Sequence, residues 1–498
     1  MEASNRYLTA VVFVVGSASL GAEIAAARLM APFFGASTIV WANTIGVVLV
    51  SLSIGYFFGG RLADRNPSLT GLCRLVLFAG VLIAVVPFAA KPFFRFAVDA
   101  LDTISAGAFL GSLLGVLVLV SVPVILLGAC SPYALRLAVT DIEHSGEVAG
   151  RLYATSTAGS LFGTMLAALV LIPAFGTQRT FLVFALALAL VAAAGLGWRY
   201  LAIPLALAGV VAVPVGTVKA GEGEKVIYEG ETTQQYVRVL QEEDGSRKLE
   251  LNEGQAVHSF YRPGAYLTGD YWDSLLVLPF AARATPPRRI AILGNAAGTA
   301  ARSYGHFFPA TEVDAVEIDP KLTDLGRRFF DLHNPQMRVY GEDARPWLQR
   351  SGGGYDVIVV DAYRQPYIPF YLATKEFFQL AHDRLAPGGV VIVNVGHPAG
   401  NDDLEQVLGR TMAEAFPTVL RDPVEDSNTL LVGSDAPAGA AHLRDQAKRL
   451  DPQLRQAAIK DAFHLAPRLA GGSVYTDDKA PVEWLIDRSI IGYAEGGG

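Results

Sequence analysis

Charge is spread so unevenly along this 498-residue chain that its two parts cannot fold in the same solvent. Residues 1–217 run through one long apolar stretch after another, whereas 218–498 hold most of the Asp, Glu, Lys and Arg. The 52% apolar content and mean hydropathy of +0.35 are therefore an average over two different materials. A helix that crosses a bilayer needs roughly 20 apolar residues. Stretches near 7–30, 38–60, 72–90, 109–131, 152–173, 180–197 and 200–217 qualify, predicting about seven spans. The core of a large soluble protein does not supply so many apolar runs in series. The first run is too long for a cleaved signal peptide, and no small-residue cleavage site follows it. Gly55/Gly59, Gly111/Gly115 and Gly159/Gly163 are spaced four apart, which lets helix backbones approach closely in lipid.

The connections carry a topological signal. Arg61, Arg65 and Arg74 lie at 61–74, and Arg136 and Arg151 at 132–151. Both connections belong on the cytoplasmic side by the positive-inside rule. Seven spans would then leave the charged half outside the cell; an even number, with 92–108 partly embedded, would return it to the cytoplasm. Glu23 falls inside the first span, where an ionisable group is expensive and points to a role or to a partner such as Arg28 or Asn43. The net charge of −7 and the absence of a basic block give no footprint for nucleic acid. Cys73 and Cys130 both sit in or beside apolar segments and form no disulfide framework.

Beyond the polar linker 219–225 the periodicity changes. Residues 236–241 and 247–252 alternate around Asp244-Gly245, a hairpin turn signal, and predict a small antiparallel β-unit over roughly 225–257. Then strands at 289–293, 312–318, 337–340, 355–361 and 389–395 alternate with helices after Gly298 and at 320–331, 343–350 and 374–385. This is the signature of a doubly wound parallel sheet, with ligands at the carboxyl ends of the strands. One helix and two strands follow over 401–434, and helical or irregular segments over 437–465. The predicted division is a transmembrane helical domain (1–217), a linker and small β-domain (218–285), and a Rossmann-like adenosyl-binding domain (286–498).

Within that domain the first strand ends at Gly294, followed by Asn295 and Gly298 in the strand-to-helix loop. Glu317, with Asp319 just after it, ends the second strand 23 residues on, where an acid can accept hydrogen bonds from ribose hydroxyls. Asp343 and Ala344 follow the third strand, where an acid and a backbone amide can read an adenine edge. The full three-glycine fingerprint of dinucleotide binders is missing, so an adenosyl ligand fits better than NAD.

With ETTQQYVRV, LELNEGQ, GDYWDSLLVLP, VEIDP, GEDAR, VIVVDAY and LAPGG in this order, residues 225–435 resemble the polyamine aminopropyltransferase (spermidine synthase) family. The apolar half, through RLMAPFFGASTIVWANTIGVVLVSLSIGYFFGGRLADR, is similar to the membrane-fused bacterial members. The resemblance implies a small β-domain before a methyltransferase-like sheet, and S-adenosylmethionine or its decarboxylated form as substrate, leaving as 5′-methylthioadenosine. It implies Gln235 and Gln255 lining the cleft, Glu317 on the ribose, and Asp343 with Ala344 on the adenine. Asp361 would stand at the reacting centre, faced by Tyr271 and Asp273. It further implies a multi-pass protein of the bacterial inner membrane with its catalytic domain in the cytoplasm. Its partners would be the lipid bilayer, a small-molecule substrate such as a polyamine, and in one arrangement a second copy of itself.

Two positions depart from the family. Ala297 stands where an aspartate grips the cofactor's amine, and Arg364 where an aspartate deprotonates the attacking amine. An ammonium must lose a proton before it attacks, so a base has to come from elsewhere; Asp273, Asp361, Asp477 and Asp478 are the candidates. Arg364 can instead fork onto a carboxylate, which intact S-adenosylmethionine has. That opens a second reading, a lyase or cyclase acting on S-adenosylmethionine without an amine acceptor. A third is a transporter or sensor that binds the adenosyl ligand and does no chemistry. His258, Tyr261 and Tyr266 either cover the ligand or simply pack. His306, His333, His382 and His397 show no metal-ligand spacing, which predicts no metal.

Overall fold

A computed structural model describes residues 2–34, 38–101, 107–139, 143–212, 224–232, 234–252, 256–363, 368–397, 399–482 and 485–486. They form two compact units, one of Met1–Val218 with Gly230–Gln235, the other of Lys219–Glu229 with Tyr236–Gly498.

Among its described residues the first unit contains 6 helices long and apolar enough to cross a membrane. They are α1 (Asn5–Met30), α2 (Val40–Arg65), α3 (Leu69–Ala90), α4 (Ser121–Ala138), α5 (Ser145–Phe175) and α6 (Thr177–Leu196). The count is within one of the expected seven. The apolar run expected at 200–217 gives a helix over Trp198–Val211, and residues 213–217 lie outside the described residues. The run expected at 109–131 is shared between a 13-residue helix, Gly107–Leu119, and α4. Small residues set the packing: a Cβ at Gly55 or Gly59 would collide with the α4 backbone at Ile125 and Ala129. Gly159 and Gly163 of α5 meet Phe13 and Ser17 of α1 equally closely.

Glu23 does not pair with Arg28. The Arg28 guanidinium instead takes Glu231 (3.1 Å), the Thr232 carbonyl (2.9 Å) and the Gln234 carbonyl (2.6 Å). Thr177 of α6 donates to the same Glu231 at 3.2 Å.

The second unit opens with a 4-stranded sheet of β1 (Glu224–Glu231), β2 (Tyr236–Glu242), β3 (Arg247–Leu251) and β4 (Val257–Tyr261), in sequence order. The expected hairpin closes at Asp244, which accepts from the Ser246 N–H at 2.8 Å. Helix α7 (Tyr271–Val277) leads into an 8-stranded sheet. Its parallel strands are β5 (Arg289–Leu293), β6 (Glu312–Val316), β7 (Met337–Tyr340), β8 (Tyr355–Val360) and β9 (Leu385–Gly396). Helices α8 (Thr299–Phe307), α9 (Pro320–Phe329), α10 (Ala344–Arg350) and α11 (Lys375–Asp383) connect them. After α12 (Asp403–Met412), antiparallel β10 (Thr418–Glu425) and β11 (Asn428–Ser434) extend the sheet; α13 (Ala440–Ala447), α14 (Pro452–His464) and β12 (Ala466–Pro467) complete it. The strand order is β12-β10-β11-β9-β8-β5-β6-β7.

Both faces of the central strands are buried, as parallel sheets require. Ile290 and Ile292 of β5, with Val357 and Val359 of β8, enter one apolar cluster. Ala291, Leu293, Ile358 and Val360 enter the other. After β7 the chain returns to the opposite side of β5, so a topological switch point opens between β5 and β8, where such sheets bind ligands.

Candidate active site

The switch point collects the strand ends. β5 stops at Gly294, whose φ of +91° suits glycine. Its close approach matters as much: a Cβ there would collide with the carbonyl of Asp361 at the end of β8. Gly298, at φ +90°, caps the start of α8. Between them Ala296 holds a φ of +46° without being glycine. Its N–H donates to Glu317 at 2.8 Å, which fixes the loop. Asn295 is only 5% exposed, and neither of its side-chain amide atoms has a partner among the described residues. A buried amide of that kind has both a donor and an acceptor to offer a polar ligand.

Glu317, at the end of β6, accepts from the Ala296 N–H and, at 2.9 Å, from the Asp319 N–H. A carboxylate has about four acceptor sites, so two stay open to hydroxyls. Burial pushes its pKa up to about 7 despite those two backbone donors. Asp319 caps α9 by accepting from the Lys321 N–H at 3.2 Å. Asp343 caps α10 in the same way at 3.1 Å, with Ala344 beginning the helix. The other Asp343 oxygen accepts from Tyr371 at 2.6 Å.

Asp361 stands at the end of β8, partly buried, with each oxygen taken by one neutral donor: Tyr271 Oη at 2.9 Å and Asn394 Nδ2 at 2.7 Å. Burial pushes its carboxyl up to about 6, and these two donors restrain the rise. Tyr271 is pushed well above its usual range by burial and by the Asp361 charge, so it stays a donor. Behind them the Tyr363 hydroxyl donates to the Asn394 carbonyl at 2.6 Å and accepts from the Gly396 N–H at 2.8 Å. Asn394 was not anticipated; nothing in a buried strand end distinguishes an asparagine that serves a neighbouring strand.

Other expected residues stand differently. Asp273 spends its oxygens on the turn before α7, accepting from the Thr268 N–H, the Thr268 hydroxyl and the Gly269 N–H at 2.8, 3.0 and 2.8 Å. This carboxylate builds the turn and has little left for a substrate. Asp477, considered as a substitute base, is forked by Arg345 at 2.7 and 2.6 Å and bound by Thr374. Those bonds hold its carboxyl below the usual range and make it a poor base. Gln235 belongs with the first unit, where its N–H donates to Thr232 Oγ1 at 2.9 Å. Gln255 and Arg364 lie outside the described residues.

Ala297 is fully buried, packed with Val237, Leu249, Leu322, Leu325 and Phe330. A carboxylate there would enter an apolar cluster, which gives alanine a physical reason. Tyr266 stacks on His306 at 3.7 Å with Arg302 over the ring at 4.2 Å, so it packs within the fold. His397, Asp402 and Glu405 offer ligand atoms within 4.8 Å of one another, a grouping the spacing of histidines did not predict. Glu405 is already ion-paired with Arg421 and bonded to Thr429 at 3.0 Å, which weakens its claim as a metal ligand.

The doubly wound sheet sets Glu317 at the end of β6 and the caged Asp361 at the end of β8, around the switch point where such sheets bind ligands. Residues 274–422 match the family described as "Spermine/spermidine synthase domain". A "Probable polyamine aminopropyl transferase" of Bifidobacterium longum is 32% identical over 278 residues, 52% of this chain and 61% of that protein. A "Polyamine aminopropyltransferase 2" of Ralstonia nicotianae is 25% identical over 431 residues, 80% of each chain. A probable spermidine synthase from Corynebacterium glutamicum aligns at TM-score 0.38 and 21% identity, over 52% of this chain and 98% of that one. The chain is thus similar to polyamine aminopropyltransferases, and it spans about three fifths of the length of the first curated relatives it matches (61% and 60%).

Proposed function

We propose that the protein is a membrane-integral aminopropyltransferase. It binds S-adenosylmethionine or its decarboxylated form, passes the aminopropyl group of the decarboxylated form to an amine such as a polyamine, and releases 5′-methylthioadenosine. The observation that carries this reading is Asp361, held by Tyr271 and Asn394 beside the glycine loop, with a carboxyl near 6. At that value about nine-tenths of it is ionised at neutral pH, as a general base requires. The amine nitrogen attacks the carbon next to the sulfonium; the N–C bond forms as the C–S bond breaks. The electron pair goes to sulfur, which leaves as a neutral thioether, and the surplus proton passes to Asp361.

In this account Glu317 holds the ribose, Asp343 and Ala344 the adenine edge, and Asn295 a polar group of the ligand; Tyr271 and Asn394 orient the base. Gln255 and Arg364 are assigned to the cleft by resemblance alone. The three-part division at 217/218 and 285/286 belongs to the same reading.

The apolar location of Ala297 supports one alternative. Without an acid in the glycine loop, intact S-adenosylmethionine and a lyase or cyclase reaction become chemically reasonable. Purified protein incubated with each adenosyl compound, with and without putrescine, separates these readings by its products. Methylthioadenosine from S-adenosylmethionine without amine would replace transfer by the lyase, and tight binding with no turnover would favour a sensor.

The first unit suits a multi-pass protein of a bacterial inner membrane. An even count of six spans carries the 61–74 and 132–151 connections and the chain leaving α6 to one side. Asp64 and Arg136, 3.3 Å apart at the ends of α2 and α4, agree with those connections sharing a side. That side is the cytoplasm by the positive-inside rule.

A further inference from the structure

Two buried acids in the second unit have no part in this chemistry. Asp422 of β10 is 0% exposed and Asp461 of α14 is 1% exposed. Alternation along β10 sets Asp422 on the same face as Leu420 and Val424. Helical spacing sets Asp461 beside Ala458 and Ala462 of α14 and Leu465 just after it, which share an apolar cluster with Leu420. Neither oxygen of Asp422, nor Asp461 Oδ2, has a hydrogen-bond partner among the described residues. Ser274 of α7 bonds the remaining part of Asp461.

The charges around the pair do not neutralise it. Arg421, next along β10, is committed to Glu405. Lys460 of α14 is exposed and reaches the pair only through space. Asp273 of α7 adds negative charge, and Asp270 and Glu425 repel each other nearby. On α13, His442 is turned to the Ala281 carbonyl, and β12 brings Ala466 and Pro467. Two carboxylates in a dry site with a single hydroxyl donor, Ser274, repel each other and lose hydration, and one retained proton relieves both costs.

We propose that Asp422 and Asp461 share a proton in the folded protein, and that this proton clamps α14 to β10 and to α7, the helix that begins with Tyr271. Burial pushes both carboxyls well above the ordinary range, in line with the geometry. The sign follows from linkage. A carboxyl raised in the folded state stabilises fully below its unfolded value, about 4, and loses that contribution as pH rises through the folded value.

The test uses the full-length protein in detergent, thermally unfolded from about pH 5 to about pH 9, beside Asp422→Asn and Asp461→Asn. Wild type should lose stability with rising pH by up to about tenfold in its folding constant per pH unit more than either variant. Its infrared spectrum at neutral pH should contain a protonated-carboxyl band that each variant lacks. If one variant fails to fold, the other and the wild-type band still decide. Parallel slopes in all three proteins, or no such band in wild type, would overturn the proposal. So would magnesium or calcium chloride stabilising wild type but not the variants, because a cation would then occupy the place given to the proton.

Discussion

Removing the Tyr271 hydroxyl tests how the base is set. In Tyr271→Phe the ring stays and the 2.9 Å bond to Asp361 goes. A hydrogen bond to a charged acceptor contributes roughly 1.5–3 kcal/mol, or about one to two pKa units. Tyr271 is one of two groups lowering the Asp361 carboxyl, which stands at about 6 with both in place. Without it the carboxyl moves to roughly 7–8, and the ionised fraction at neutral pH falls from about 90% to between roughly 50% and 10%. Aminopropyl transfer at pH 7 should drop by about two- to tenfold, and the acid limb of the kcat/KM profile should move up by one to two units. At alkaline pH the variant should regain most of the wild-type rate, because the base is ionised again. An acid limb that does not move, or a loss equally deep at every pH, would refute the role given to Asp361 and its cage.

Other outcomes follow from the same geometry. Asn394→Ala, which removes the 2.7 Å donor on the second oxygen, should shift the acid limb in the same direction as Tyr271→Phe. Glu317→Ala should weaken methylthioadenosine binding at least about tenfold in calorimetry, since each bond to a charged acceptor is worth ~1.5 kcal/mol or more; unchanged affinity would remove it from the ribose. Ala297→Asp should not recover a lost amine grip. It should lower thermal stability by roughly 3–5 kcal/mol, the cost of an uncompensated buried charge.

The fold of the second unit was legible because its signals are local. The run RIAIL predicts β5 over 289–293, and MRVY predicts β7 over 337–340, as found. Glu317, Asp319 and Asp343 stand out in the sequence because they lie just past strand ends; Glu317 follows β6, and Asp319 and Asp343 cap the helices that come next. What escaped depends on partners distant in sequence. Asn394 serves Asp361 from 33 residues away, and Asp273 looks like a free acid until the turn it holds is seen. Asp477 looks like a spare base until Arg345 is found forked onto it.

The central claim is that ionised Asp361 takes the proton of an amine that receives the aminopropyl group. Its most direct measurement pairs the two products by mass spectrometry, with decarboxylated S-adenosylmethionine and putrescine supplied to wild type and to Asp361→Asn. The account predicts one aminopropylated amine for each methylthioadenosine in wild type, and a parallel loss of both in the variant. Methylthioadenosine formed without any modified amine, or an Asp361→Asn variant that turns over like wild type, would contradict it.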